Sequence, residues 1–348
     1  MKILFAINQL GGGGAERVLT LLANQMVQNH EVYIVSFTPG MTKYHINQNI
    51  HVNELTLRKK TAIHVARAIR EEVKAVKPDC LISFEYHMNM KALLGTVGIK
   101  NLRKIISERN DPSQKGGTLG KKQVRELLYR LSDVLVCQTP DAMNYFSKEI
   151  RCKTVIIPNP ISGNLPEVWS GKRDKRIVNF CRLEKQKNIP LLIDAFSIFR
   201  RNHKEYQLDI YGDGAEREYI QTYIESRNLR TSVTLHPASP EIHKLVSNAM
   251  MYVSSSDYEG ISNSMLEALA LGIPTICTDC PCGGARMFIR DGENGFLVRV
   301  GDSNELAQKM SDLAENAKLR NIFSQNSIKI REDISSDKIV GKWMDILK

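Results

Sequence analysis

Short apolar runs alternate with helix-period stretches along most of this chain, beginning with Ile3 to Ile7, Ala15 to Gln28 and Val32 to Phe37. A run of five or six apolar residues suits a strand covered on both faces, and the amphipathic stretch after it supplies the crossover that parallel strands need. The pattern therefore predicts right-handed βαβ units and parallel sheets. It continues through Cys80 to Phe84, Lys104 to Ser107, Val134 to Gln138 and Thr154 to Ile157, and Pro158-Asn159-Pro160 then stops it. The polar stretch Ser162 to Lys175 reads as a linker. A second series follows, with strands near Ile177 to Cys181, Gln207 to Tyr211, Val233 to Leu235, Met251 to Ser254 and Thr275 to Cys277, each leading into a helix. The expected fold class is α/β: two similar parallel-sheet halves, residues 1–161 and 162–334, with a cleft between them.

Length supports the division, since 348 residues exceed what one hydrophobic core normally serves. No apolar run approaches the roughly 20 residues of a bilayer crossing, and Met1 to Ile7 is too short for a signal peptide, so a cytoplasmic location is expected. Seven cysteines, an odd number scattered through strand-like segments, read as reduced thiols. Cys277, Cys280 and Cys282 cluster without a fourth Cys or a nearby His, and no metal site is expected there.

Charge is unevenly spread. Residues 1–160 carry 23 Lys and Arg against 13 Asp and Glu, whereas residues 161–348 carry 25 of each, so the whole excess of +10 lies in the first half. A helical stretch from Thr61 to Lys77 sets Arg67, Arg70, Lys74 and Lys77 beside an apolar stripe of Val65, Ala66, Ile69, Val73 and Val76. Such a helix suits an anionic membrane surface, or is an ordinary surface helix with its apolar face in the core. No nucleic-acid recognition motif accompanies the basic charge, so nucleic acid is not an expected partner.

Three segments carry candidate chemistry. Glu259 and Glu267, with seven residues between them, bracket a Gly260-Ile261-Ser262-Asn263-Ser264 turn entering an apolar helix. The turn offers backbone N–H groups and the positive end of a helix dipole to a phosphate, and the carboxylates can accept hydrogen bonds from sugar hydroxyls. Ser264-x-x-Glu267 also fits a capping box, in which Glu267 only satisfies a helix start. Upstream, Arg182 and Lys187 follow a strand-like run, at the edge where open parallel sheets bind ligands. An Arg fork with a Lys point charge is suited to a diphosphate. Near the start, Gly11 to Gly14 follow the first strand and open a helix, which lets backbone N–H groups approach a phosphate or a sugar.

Arg182 with Lys187, the Glu259 to Glu267 motif, Gly11-Gly12-Gly13-Gly14-Ala15-Glu16-Arg17, Tyr211-Gly212-Asp213-Gly214 and Gly292-Glu293-Asn294-Gly295-Phe296-Leu297-Val298, taken in this order, resemble glycosyltransferase family 4. The resemblance runs nearly the whole chain. It implies the GT-B fold, in which two Rossmann-like domains face each other and the last helix, here 335–348 with Trp343, crosses back onto the first. It assigns Arg182 and Lys187 to the donor diphosphate, Glu259 to donor-sugar hydroxyls, Glu267 to the ribose, the backbone of Gly260, Ile261 and Ser262 to the anion site, and Gly13 and Gly14 to the donor phosphates or acceptor. It implies no cofactor beyond the nucleotide-sugar substrate and no metal. Two departures stand out. Many members carry a His after the first-domain strand that here reads Ile105-Ile106-Ser107-Glu108-Arg109-Asn110; Arg109 stands in its place, and His87 is a second acceptor-side candidate for its role, or a loop or packing histidine. His236-Pro237 stands where a glycine is usual, which obscures the base that is read.

The resulting expectation is a retaining glycosyltransferase, peripheral to the inner face of the plasma membrane. It would move a hexose or N-acetylhexosamine from a nucleotide-sugar, UDP-linked in most bacterial relatives, to a lipid-linked glycan, as in capsule, O-antigen (lipopolysaccharide) or exopolysaccharide synthesis. The alternatives are a non-catalytic nucleotide-sugar-binding or scaffold protein of the same fold, and a sugar-nucleotide epimerase or hydrolase.

Overall fold

A computed structural model describes residues 1–40, 44–114, 119–161 and 163–348. The chain divides into two compact units, Met1–Pro160 with Ser336–Lys348, and Ile161–Ser335. Ser162, where the expected linker begins, lies outside the described residues.

The first unit is built on seven parallel strands: β1 (Lys2–Ile7), β2 (Glu31–Ser36), β3 (His51–Glu54), β4 (Cys80–Phe84), β5 (Arg103–Ser107), β6 (Val134–Cys137) and β7 (Thr154–Ile156). Their order across the sheet is β3-β2-β1-β4-β5-β6-β7. Winding proceeds outward from β1 to β3 on one side and from β4 to β7 on the other, so the order reverses between β1 and β4. Residues Phe5, Ile3, Ile82 and Leu135 are fully buried, as strands covered on both faces must be. Strand β3 escapes the sequence pattern because His51, Val52 and Asn53 are exposed and only one of them is apolar, as suits an edge strand that needs no apolar face.

The helix Ala62–Val76 turns Val65, Ala66, Ile69 and Val73 into this unit's core against the helix Tyr86–Gly95. Burying each of the branched side chains Val65, Ile69 and Val73 contributes roughly 1.5–3 kcal/mol. Its basic stripe is partly committed as well, because the Arg70 guanidinium donates to the carbonyls of Gly95 and Val97, both at 2.9 Å. The apolar stripe that the sequence offered to a membrane therefore belongs to the core. The helix Ser336–Asp345 packs on the first unit, with the fully buried Trp343 stacked on Phe84 at 5.6 Å and the Ile346 carbonyl accepting from Arg103 at 3.0 Å.

The second unit repeats the plan with six parallel strands: β8 (Asp174–Phe180), β9 (Gln207–Tyr211), β10 (Val233–His236), β11 (Ala249–Ser254), β12 (Thr275–Thr278) and β13 (Phe296–Val298), in the order β10-β9-β8-β11-β12-β13. Here the order reverses between β8 and β11. Ile177, Ile210, Val253 and Ile276 meet Leu192, Phe196 and Met310 from the flanking helices in one continuous core. The reversal points are where an open α/β sheet leaves a crevice beyond the carboxyl ends of its strands. The residues following β1 and β4, and those following β8 and β11, therefore matter most for function.

Candidate active site

In the second unit the loops leaving β8 and β11 are tied to each other. Asn188 stands at a left-handed φ of 42° at the start of the helix Ile189–Phe199, where its carboxamide accepts from Leu191 N–H at 3.3 Å and donates to Asp257 at 2.7 Å. The Ser255 hydroxyl donates to the carbonyls of Lys187 and Asn188, and Asp257 N–H donates to the Gln186 carbonyl at 2.9 Å. Gln186 then reaches across with its own amide, to the Tyr258 carbonyl at 2.8 Å and to the Glu259 carboxylate at 2.9 Å.

At the centre of this lacing, Lys187 and Glu259 form an ion pair whose side chains are only 15% and 12% exposed. The Ser256 hydroxyl donates to the same carboxylate at 2.9 Å. Burial penalises the Lys187 ammonium, but the Glu259 carboxylate beside it more than compensates, and the lysine pKa stands above its usual value. The lysine is thus held as a cation, oriented by a carboxylate that is itself fixed by two neutral donors. Arg182 differs: its side chain is 61% exposed and pairs with Glu184 at 3.1 Å. A long, exposed guanidinium on a fixed loop is free to swing onto an arriving anion.

The glycines around this loop act by allowing close backbone approach. A Cβ at Gly212 would lie 1.9 Å from the Cys181 carbonyl oxygen, and one at Gly214 would lie 2.3 Å from that of Leu183. The β9 exit therefore packs directly beneath Cys181-Arg182-Leu183, and Leu183 N–H donates to the Asp213 carbonyl at 2.9 Å. Likewise a Cβ at Gly284 would sit 1.7 Å from the Gly260 carbonyl oxygen, so the segment after β12 clamps the Gly260 turn.

That turn leads into the helix Asn263–Ala270, capped by the Ser262 hydroxyl, which accepts from Met265 N–H at 3.4 Å. Because Ser262 is the cap, Glu267 lies in the helix's second turn and does not close a capping box with Ser264. Glu267 is 6% exposed and meets His243 Nε2 at 3.0 Å. His243, on the short helix Ile242–Val246, was invisible in the sequence, where a lone His in a polar stretch carries no signal. His236 is engaged away from this turn, stacked on Tyr211 at 4.4 Å and bonded to Asp209 at 3.0 Å. The structure therefore brings Lys187, Glu259 and Gly260 together, places Arg182 at the adjacent strand exit, and sets Glu267, bonded to His243 of the helix Ile242–Val246, on the helix behind the turn.

In the first unit, the helix Gly14–Met26 starts on the last residue of the glycine run, with Gly13 at its cap position. The Glu16 carboxylate folds back over Gly13 so closely that a Cβ there would lie 2.1 Å from it, and Gln9 donates to Glu16 at 3.4 Å. An acidic side chain thus already faces the positive end of this helix. Arg17 donates to the Pro160 carbonyl at 3.1 Å. Arg109, beyond β5, lies 5.2 Å over the Phe84 ring, donates to the Ser107 hydroxyl at 3.3 Å and to the Asn159 carboxamide, and its buried Nε has no partner among the described residues. Burial pushes its pKa down to about 9, with Glu85 opposing. His87 is exposed on the helix Tyr86–Gly95, edge-on to Tyr86 at 4.8 Å. Among the described residues no group of three or more His, Cys, Asp or Glu is arranged to hold a metal ion, and no helix is long and apolar enough to cross a membrane.

Comparison with known proteins agrees with this architecture. Residues 12–163 match the Glycosyltransferase Family 4 model and residues 166–330 match that of the glycosyl transferases of group 1. An α-1,4-N-acetyl-D-galactosaminyltransferase of Campylobacter jejuni, whose name gives a diphospho-undecaprenol-linked glycan as its acceptor, is 26% identical, over all of this chain and 98% of its own. The amylovoran biosynthesis glycosyltransferase AmsD of Erwinia amylovora is 23% identical over 99% of both chains. Among solved structures, Anabaena HepE in complex with UDP and glucose superposes with a TM-score of 0.87 at 20% identity, covering 100% of this chain and 99% of its own. Sucrose-phosphate synthase from Thermosynechococcus elongatus gives 0.85 at 16% identity, over 99% and 98%. The two units are the two Rossmann-like domains of a GT-B glycosyltransferase.

Proposed function

Given that the chain belongs to the glycosyltransferases, with a Family 4 first unit and a group 1 second unit, we propose that it transfers a hexose or N-acetylhexosamine, with retention, from a UDP-sugar to a lipid-linked glycan in bacterial surface-polysaccharide synthesis. The observation that carries this reading is the buried Lys187–Glu259 pair beside the exposed Arg182 at the β8/β11 reversal point. When the anomeric bond to phosphate breaks, negative charge grows on the departing nucleoside diphosphate. Lys187, held protonated by Glu259, and Arg182, able to close as a fork, oppose that charge more strongly in the transition state than in the bound donor. Glu259 also offers carboxylate lone pairs to donor-sugar hydroxyls, and Glu267, buttressed by His243, offers a fixed acceptor to a ribose. Retention follows if the acceptor hydroxyl attacks on the face the phosphate is leaving, and passes its proton to a phosphate oxygen; no protein nucleophile is then required.

The UDP in the solved structure of similar fold supports uridine as the base, and the diphospho-undecaprenol acceptor of the Campylobacter relative supports a lipid-linked acceptor. An acceptor of that kind places the enzyme at a membrane surface. Within the basic first unit, Val124 and Leu127 on the helix Leu119–Tyr129, and Leu131 just past it, are 51%, 64% and 41% exposed, spaced to share one face. Lys121, Lys122 and Arg130 beside them are exposed too. Apolar side chains rimmed by lysine and arginine suit the headgroup layer of an anionic leaflet.

The deciding experiment is calorimetric titration of the full chain and of Arg182→Ala with UDP, GDP and ADP. UDP is expected to bind in preference to the others, and the substitution to weaken it about 30-fold or more, the worth of a charge-assisted fork on phosphate. Equal affinity of Arg182→Ala and wild type for UDP would overturn the site assignment.

A further inference from the structure

At the reversal point of the first sheet, β4 passes into the helix Tyr86–Gly95 through a single residue, Glu85. Its backbone stands at φ 74° and ψ 144°, a conformation that a residue with a Cβ rarely adopts and that glycine adopts at no steric cost. The position is held from both sides, since Glu85 N–H donates to the Ser107 carbonyl at 3.0 Å and its own carbonyl accepts from Asn89 N–H at 2.8 Å. Although Glu85 occupies the cap position, its side chain does not cap the helix. The side chain is exposed at the carboxyl edge of the sheet. Pairing of Ala6 with Ser83 brings this edge alongside the exit of β1, where the Glu16 carboxylate lies over Gly13.

A sharp, strained strand-to-helix turn that lifts one reactive side chain above a parallel sheet is a known way of presenting a functional group. Strain of this kind persists where the residue type is needed for something other than stability. Glu85 interacts electrostatically with the Arg109 guanidinium, and a carboxylate presented at this edge is itself unsuited to a further phosphate. It is suited to hydroxyl groups, which donate to carboxylates in charge-assisted hydrogen bonds. We propose that Glu85 is an acceptor-binding residue: on its strained turn it accepts a hydrogen bond from a hydroxyl of the acceptor sugar and orients that sugar at the β1/β4 crevice. The inference rests on the transferase reading above and adds to it the chemical class recognised by the first unit, a polyhydroxylated sugar.

Strain makes the test unusually discriminating, because Glu85→Gly relieves the backbone while removing the carboxylate. Full-length wild type, Glu85→Gly and Glu85→Gln are compared by thermal unfolding and by initial rates, with UDP-N-acetylhexosamines as donors and a synthetic short-chain polyprenyl-diphosphate-linked N-acetylhexosamine as acceptor. Glu85→Gly is expected to raise the Tm of the first unit by roughly 2–6 °C. The same change raises the acceptor KM about tenfold or more and leaves the donor KM within about twofold, the loss expected when a charge-assisted hydrogen bond is removed. Glu85→Gln, which keeps an acceptor oxygen without the charge, is expected to fall between the two in acceptor KM. An unchanged acceptor KM in Glu85→Gly, a rise in donor KM in place of acceptor KM, or a fall in Tm would each overturn the proposal while leaving the transferase reading in place. A wild type that transfers sugar from no donor would overturn the transferase reading and this one with it.

Discussion

Replacing Glu259 by Gln tests the central electrostatic feature of the second unit. The substitution keeps the shape of the side chain and a carbonyl that can still accept from Ser256 at the wild-type separation of 2.9 Å, but it removes the counter-charge of Lys187. With both side chains more than four-fifths buried, the orphaned ammonium cannot simply rehydrate. Breaking a buried pair from one side costs about 3–5 kcal/mol, and the residual exposure of Lys187 puts this case near about 3 kcal/mol. For a unit of this size that is a Tm lower by roughly 6–12 °C. The pH dependence has a definite sign. In the wild type, the Lys187 pKa is raised above its unfolded value, so its stabilisation is complete below the unfolded lysine pKa and is lost only as pH climbs through the folded value. In Glu259→Gln, burial alone acts and depresses the pKa, so the penalty is present at neutral pH and fades as pH approaches the lysine range, because the folded state can then hold a neutral amine. The stability gap between the two proteins, measured by urea denaturation from pH 7 to pH 10, should therefore narrow as pH rises. A gap below about 1 kcal/mol at pH 7, or one that widens toward pH 10, would refute the reasoning. Lys187→Met combined with Glu259→Gln should recover most of the loss, since no buried charge then lacks a partner.

Other consequences of the packing are directly measurable. Gly284→Ala forces a methyl group against the Gly260 carbonyl oxygen and should lower stability by about 2–4 kcal/mol in denaturant titrations, weakening UDP binding with it. Trp343→Ala empties a fully buried site against Phe84, and a loss of about 3–5 kcal/mol is expected in the first unit by fluorescence-detected unfolding, with UDP affinity at the second unit unchanged. Leu127→Glu places a charge in the centre of the exposed apolar face and should reduce cosedimentation with vesicles of phosphatidylglycerol and phosphatidylethanolamine severalfold without altering Tm by more than about 2 °C.

The sequence by itself determined the kind of fold. Five-residue apolar runs separated by amphipathic stretches leave few alternatives to parallel sheets flanked by helices, and Pro158-Asn159-Pro160 marks where one series gives way to the next. Strand identity was legible where both faces are buried, as at Cys80 to Phe84, and not at β3, whose exposed edge position removes the need for apolar residues. Residue types at strand exits were legible too, because Arg182, Lys187 and Glu259 stand next to recognisable strands. What they do to each other was not: that Lys187 meets Glu259, and that His243 meets Glu267, depends on which strands become neighbours, and strand order is written in long-range packing. The same holds for the helix Ala62–Val76, whose pattern fitted both a membrane face and a core face until the helix Tyr86–Gly95 packed against it. The strain at Glu85 lies furthest from the sequence. A backbone conformation unfavourable to glutamate leaves no trace in composition or period, and it exists because the bonds to Ser107 and Asn89, donated from one side and accepted from the other, hold the turn in place once the sheet has formed.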